Sequence, residues 1–258
     1  MKNALIVAAL AGALLAVVFL VAPPRNAFRI ESRILGEGRT ILESLPAGYE
    51  SSGKAYPVLI HLDASAQAFG RDPSFYDVAK TVNSLGKPVP EMIVLGVRNT
   101  RRNRDMIPAG ESSTAGGARN FLRFLAEELI PALRTRYRAE DYRILYGRSD
   151  SGLFALYALT EAPDAFQAVI ASSPSLERCP VFMAKAMSRF LRERPSLARK
   201  LFIIYGSKER YVAVRVPEYA ELIRQAASES FALGVKNVPG GGHVPPSSLE
   251  DGLRFVFK

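Results

Sequence analysis

Cysteine is nearly missing from this chain. The single Cys179 excludes an internal disulfide and a cysteine-rich metal cluster, and it leaves the redox compartment open. A small side chain half-buried in a loop is the plain reading of that residue, against a catalytic thiol. Tryptophan is absent, and histidine occurs only as His61 and His243, so chemistry that needs an imidazole has two places to find one. Low-complexity linkers, internal repeats and compositional breaks are lacking too. Beyond the first 24 residues, one domain covering 25–258 is therefore the simplest organisation. Composition argues against disorder, because 48% of residues are hydrophobic and 23% charged, as in an ordinary globular chain.

Charge of one sign predominates: the formal net charge is +9 and the pI about 9.8. Such a surface favours anionic partners, among them nucleic acid, acidic lipid and a carboxylate-bearing substrate. The cations are scattered, however, and the densest group, Arg98, Arg101, Arg102 and Arg104, has no aromatic ladder beside it. Nucleic acid is thus not the expected partner, whereas an anionic small molecule fits. The other departure lies at the start. After Lys2, the uncharged and almost wholly apolar run Ala4–Ala22 ends at Pro23, Pro24 and Arg25. Its length approaches the roughly 20 residues that cross a bilayer as a helix. Residues 1–24 therefore read as an N-terminal hydrophobic helix, either a membrane anchor or a cleaved signal peptide. Pro23 directly after Leu20-Val21-Ala22 favours the uncleaved anchor. Either way the expected location is extracytoplasmic, periplasmic or secreted.

The remainder alternates between two periodicities. Phe28–Leu45 reads as a hairpin around Gly36 and Gly38. Pro57–Asp63, Glu91–Val97, Tyr142–Tyr146, Ala168–Ser172, Leu201–Tyr205 and Phe231–Val238 read as short, buried strands. Helices are expected over Gly116–Arg138, kinked or interrupted by Pro131, and over Ser151–Glu161, Pro217–Glu229 and Leu249–Phe257. Glu177–Arg199 is a longer helical connection, placed to form a lid, a pocket wall or a plain surface helix. This alternation predicts an α/β class: a mainly parallel central sheet with helices on both faces and a ligand edge at the carboxyl ends of the strands.

The chemically informative stretch is Arg143–Tyr157. A buried strand runs directly into a helix, with Ser149 at the junction between Gly147 and Ser151. That context suits a nucleophile elbow, a sharp turn that lifts the serine oxygen above the sheet. It also suits a tight turn that Ser149 merely caps, and the strict Gly-x-Ser-x-Gly pattern is broken by Ser151. A serine nucleophile needs a base. His61 lies inside an apolar strand, packed or bonded in the core, whereas His243 follows Gly240-Gly241-Gly242 after the last strand. The acid that orients such a histidine belongs after Leu201–Tyr205. Glu209 is placed there, with Glu218 in reserve and a surface ion pair to Lys208 or Arg210 as the competing role. Oxyanion donors would be the backbone amides of Asp150 and Ala64. The Asp150 carboxylate, harmful beside a developing negative charge, should turn away toward Arg148 or Arg119.

Several ordered motifs together resemble the esterase family that includes enterochelin and other siderophore esterases, esterase D and the antigen-85 mycolyltransferases. Asn99–Pro108 is similar to the family segment NT-x-R-x-RD-x-x-P, and Gly116–Pro131 followed by GRSDSGLFALYAL to its helix and elbow. Ala171–Ser175 and the stretch from His243 to Phe255 match the positions after the next strand and at the close of the fold. The resemblance extends from about Pro57 to the end. It implies an α/β-hydrolase fold, ester hydrolysis, no metal and no organic cofactor. Ser151 departs from the family pattern, as do Glu177 and Arg178 where relatives often carry aromatics. With tryptophan absent, a more polar substrate than a catechol or feruloyl ester is also compatible. Three functions remain open on the sequence: hydrolysis of a carboxylic ester, acyl transfer to a lipid or glycan, and a catalytically silent binding scaffold.

Overall fold

The computed structural model describes residues 26–65, 74–99, 101–108 and 117–258. The expected hydrophobic helix of residues 4–22 lies outside them. Among the described residues no helix is long and apolar enough to cross a membrane.

The predicted hairpin forms from β1 (Ala27–Ser32) and β2 (Glu37–Ser44), antiparallel, with Gly36 at positive φ in its turn. The buried runs become β3 (Tyr56–Leu62), β4 (Ile93–Val97), β5 (Ala139–Arg148), β6 (Ala168–Ser172), β7 (Arg199–Gly206) and β8 (Phe231–Val238). They assemble into one eight-stranded sheet of order β1-β2-β4-β3-β5-β6-β7-β8, antiparallel at β1, β2 and β4 and parallel from β4 to β8. Residues of β3 and β4 are buried on both faces, which is why these strands are continuously apolar rather than alternating.

Helices cover both faces. On one side α2 (Phe75–Ser84) and α9 (Ser248–Val256) pack against Leu59, Val94, Ile144 and Ile170. On the other lie α4 (Ala118–Arg123), α5 (Ile130–Arg136), α6 (Asp150–Glu161), α7 (Pro180–Glu193) and α8 (Val212–Ala226), against Ile60, Leu95, Leu145 and Val169. Short turns of helix, α1 (Tyr49–Ser52) and α3 (Arg102–Met106), fill two of the loops.

Three elements differ from expectation for identifiable reasons. The helix predicted over Gly116–Arg138 is continuous but widens into a π-helical stretch at Phe124–Leu129, where the Ile130 amide reaches back to Leu125. Pro131 has no amide to donate, and the ladder accommodates it by lengthening rather than breaking. α8 begins at Val212, five residues before Pro217, because Val212, Val216, Tyr219, Ala220 and Ile223 form one buried stripe through the proline. α2 was not anticipated. Its signal was present: Ser74 and Asp77 form a reciprocal capping box ahead of the buried Phe75, Val78, Ala79 and Val82.

One polar assembly sits inside this apolar frame. Arg39 of β2 and Asp105 of α3 are both fully buried and paired at 2.7 Å, and Arg104 holds the second Asp105 oxygen at 2.7 Å. Glu37 receives Arg39 at 2.7 Å and Arg104 at 2.6 Å, while the Arg39 guanidinium lies 5.2 Å from the Phe121 ring centroid. The network ties α3 to the antiparallel edge. Asp105→Ala would leave Arg39 buried with Glu37 as its one carboxylate among the described residues, so urea denaturation should report a loss of about 3 kcal/mol. A loss below about 1 kcal/mol, the worth of an exposed pair, would mean that Glu37 suffices.

Candidate active site

The parallel strands β3, β5, β6, β7 and β8 end on the same edge of the sheet, and each expected site residue follows one of them. Ser149 lies between β5 and α6 with φ 56° and ψ −121°, a conformation that L-residues adopt only when their surroundings impose it. The surroundings are close backbone approaches. A Cβ at Gly147 would lie 2.0 Å from the Ser151 carbonyl oxygen, and one at Gly152 would lie 3.1 Å from the Ser172 carbonyl oxygen. Ser151, the departure from the elbow pattern, is fully buried and satisfied within its own turn. Its hydroxyl donates to the Arg148 carbonyl at 2.8 Å and accepts the Arg148 amide at 2.9 Å. Gly152, one position later, provides the approach of α6 to β6.

Glu209 follows β7 and is nearly buried. Oε2 lies 2.6 Å from His243 Nδ1, while Oε1 accepts the Ser173 hydroxyl at 2.6 Å and the Gly206 amide at 2.8 Å. Burial pushes the Glu209 carboxyl up, but the hydrogen bonds from His243, Ser173 and Gly206 outweigh it and hold the group below its usual range. The surface ion pair allowed for Glu209 is therefore not its environment. Glu218, the reserve, sits on an exposed turn of α8 and pairs with Arg215 at 2.8 Å.

The glycine that ends β7 has a packing reason as well. A Cβ at Gly206 would lie 2.3 Å from the Gly242 carbonyl oxygen, so the β7 end and the histidine loop touch through bare backbone. Lys208 donates its amide to Gly241 at 3.0 Å, and Gly240 donates to the Ser207 hydroxyl at 2.8 Å. Ser173 completes the brace: it accepts the Val244 amide at 2.9 Å while bonded to Glu209. Nothing in the sequence analysis singled out Ser173 for this role, although it stands within Ala171–Ser175. Its own φ of 45° places the hydroxyl between β6 and the histidine loop.

Ser149, Ser175, Glu209 and His243 line one open cleft of about 350 Å³ together with Glu177, Lys208, Arg210, Tyr211 and Val212. The Ser149 and Ser175 hydroxyls are 3.3 Å apart, and the His243 side chain is more than half exposed. Tyr211 is 66% exposed and walls the cleft beside two cations. From the connection at Glu177–Arg199 only Glu177 reaches this wall; α7 itself packs on the core through Met183, Met187 and Phe190.

Two expectations are corrected. The Ala64 amide donates to the Val97 carbonyl at 3.1 Å, continuing the β3–β4 pairing, so it is already engaged and does not fit the oxyanion role. Asp150 turns neither to Arg148 nor to Arg119. Its carboxylate meets Arg102 Nη1 at 2.5 Å and Arg178 Nε at 3.7 Å, because the buried Arg39–Asp105 pair holds α3 beside the start of α6. His61 behaves as a core residue. Burial, with Arg148 nearby, lowers its pKa to about 3, and its ring packs on Tyr146 at 5.2 Å.

Residues 32–237 match the model of the family described as "Putative esterase". The chain is 27% identical over 229 residues to the ferri-bacillibactin esterase BesA of Bacillus subtilis, covering 78% of this chain and 79% of that one. Among solved structures, the BES protein from Bacillus cereus superposes with a TM-score of 0.78 at 25% identity, covering 90% of this chain and 94% of that one. An IroE-like serine hydrolase from Shewanella oneidensis gives 0.77 at 27% identity, covering 90% and 79%. With this match over most of its length, on a mainly parallel sheet with its polar cleft at the strand ends, the chain belongs to the "Putative esterase" family of the α/β-hydrolase superfamily and is a carboxylic ester hydrolase.

Proposed function

We propose that the chain is a serine esterase working through an acyl-enzyme, with Ser149 as nucleophile, His243 as base and Glu209 as the acid that orients it. The observation that carries this reading is the 2.6 Å contact between His243 Nδ1 and Glu209 Oε2, in the cleft that Ser149 also lines. With Nδ1–H donated to Glu209, Nε2 is left as the acceptor for the serine proton. Ser149 Oγ attacks the ester carbonyl as its proton passes to Nε2. The resulting oxyanion is met by the Asp150 amide, which opens α6 and so has no intrahelical acceptor. The imidazolium then returns its proton to the leaving alcohol, and water repeats the sequence to release the acid from Ser149.

The substrate class follows from the relatives and the rim together. BesA is named for a ferri-siderophore and two fungal relatives for siderophores. Lys208, Arg210 and the exposed Tyr211 at this cleft suit an anionic siderophore ester. The apolar run Ala4–Ala22 supports a membrane-held domain outside the cytoplasm.

Ser149→Ala and His243→Ala should each lower kcat on p-nitrophenyl butyrate by about four orders of magnitude or more, since triad members act as a unit. Glu209→Gln should cost on the order of a hundredfold or more by losing the tautomer that frees Nε2. A His243→Ala variant that kept most of its rate would remove His243 from the mechanism.

Glu209 also links pH to stability. Its folded pKa lies below the unfolded carboxyl value of about 4.3, so the unfolded state binds more protons between the two. The stabilisation is complete above that value and disappears as pH falls through the folded pKa. Urea midpoints should therefore drop less steeply on the acid side in Glu209→Gln than in the wild type. Parallel acid limbs would assign Glu209 an ordinary solvent-like carboxyl.

A further inference from the structure

Asp150 places a buried carboxylate one residue after Ser149, beside the amide that the acyl-enzyme reading uses for the oxyanion. An unneutralised negative charge there would oppose the charge that develops on the substrate. The carboxylate is not left alone. Arg102 Nη1 meets it at 2.5 Å, and Arg178 Nε stands 3.7 Å away. The same Arg102 side chain donates Nε to Asp63 Oδ2 at 2.5 Å, and Asn99 holds the other Asp63 oxygen. Asp63 follows β3 at φ 58°, directly ahead of the Ala64–Ser65 turn. One guanidinium therefore bridges the end of β3, at Asp63, and the start of α6, at Asp150. α3, which carries Arg102, is itself held by the buried Arg39–Asp105 pair. Burial works against the Arg102 cation, but Asp63 and Asp150 outweigh it and keep the side chain charged.

We propose that Arg102 is a positioning residue for ester hydrolysis: it neutralises Asp150 at the elbow and ties the end of β3 to the nucleophile turn, so that the Asp150 amide meets the oxyanion without an opposing charge beside it. The proposal rests on the acyl-enzyme reading. It also explains how this chain carries an acid beside its nucleophile.

The test uses the full chain, with kcat and KM on p-nitrophenyl butyrate and the second-order rate of fluorophosphonate labelling at Ser149. R102M should lower both kcat and the labelling rate about tenfold or more, with KM changed less than about twofold, because the loss falls on the transition state. The double variant R102M/D150N should recover about fivefold or more over R102M, since removing the carboxylate removes the charge that Arg102 offsets. A merely structural clamp would stay broken in the double variant, so no recovery overturns the proposal, as does an R102M rate within about twofold of the wild type. If R102M does not fold, R102K decides: it keeps the charge but not the fork, so a lowered kcat is expected and a kcat equal to the wild type overturns the proposal. Wild-type protein that neither turns over nor labels at Ser149 overturns the acyl-enzyme reading and this proposal with it. Labelling that R102M leaves unchanged overturns the proposal alone.

Discussion

Where β5 passes into α6, the backbone has no room for a side chain at position 147. The Ser151 carbonyl would stand 2.0 Å from any Cβ there, and the Ser172 carbonyl closes on Gly152 from β6. The turn that makes this approach holds Ser149 at positive φ, and the strain is borne because the buried strand on one side and an almost wholly buried helix on the other fix both ends of the turn. The rest of the site is arranged around the result. The cleft that Ser149 lines at this carboxyl edge also takes residues that follow β6, β7 and β8.

Two polar assemblies hold that edge in place, and they differ in what they need from burial. Around Glu209 every partner makes a short hydrogen bond at the same edge of the sheet: Gly206 from the same turn, Ser173 after the adjacent strand, His243 from the glycine loop. The carboxylate stays ionised because three donors more than offset its desolvation. Around Asp150 the compensation comes from farther away. Arg102 belongs to α3, and α3 is anchored on the antiparallel edge by charges that are themselves fully buried. Removing one member of such a chain leaves the next uncompensated, which makes a distant pair such as Arg39–Asp105 part of the site's support.

A catalytically silent scaffold would be favoured by an elbow disrupted at Ser151, an unneutralised Asp150 or an acid remote from the histidine. Each of these has a specific partner in the fold. Ser151 bonds both polar groups of Arg148, Asp150 is charge-paired, and Glu209 faces the histidine. The departure at Ser151 is thus accommodated within the turn, in an assembly whose relatives are esterases.

Much of this was legible in the linear chain. Buried parallel strands are continuous apolar runs, the elbow is a strand-serine-helix junction, and two histidines of contrasting context left one candidate base. These properties are local, encoded in windows of ten or so residues, and they determined the fold class and singled out Ser149, His243 and the loop carrying Glu209 as candidates that the fold brings to one cleft. α2 was legible too, through its Ser74–Asp77 cap. What the chain could not determine was pairing across it. Ser173 lies 36 residues from Glu209, Arg102 lies 48 from Asp150, and Ala64 loses its amide to Val97 only because β3 and β4 are neighbours in the sheet. Hydrogen bonds and ion pairs act over a few ångströms, and which groups come that close is decided by strand order and helix placement. The sequence determined what chemistry was present; the tertiary structure decided which charges face one another, and so which carboxylate lies against the histidine and which is paired with arginine.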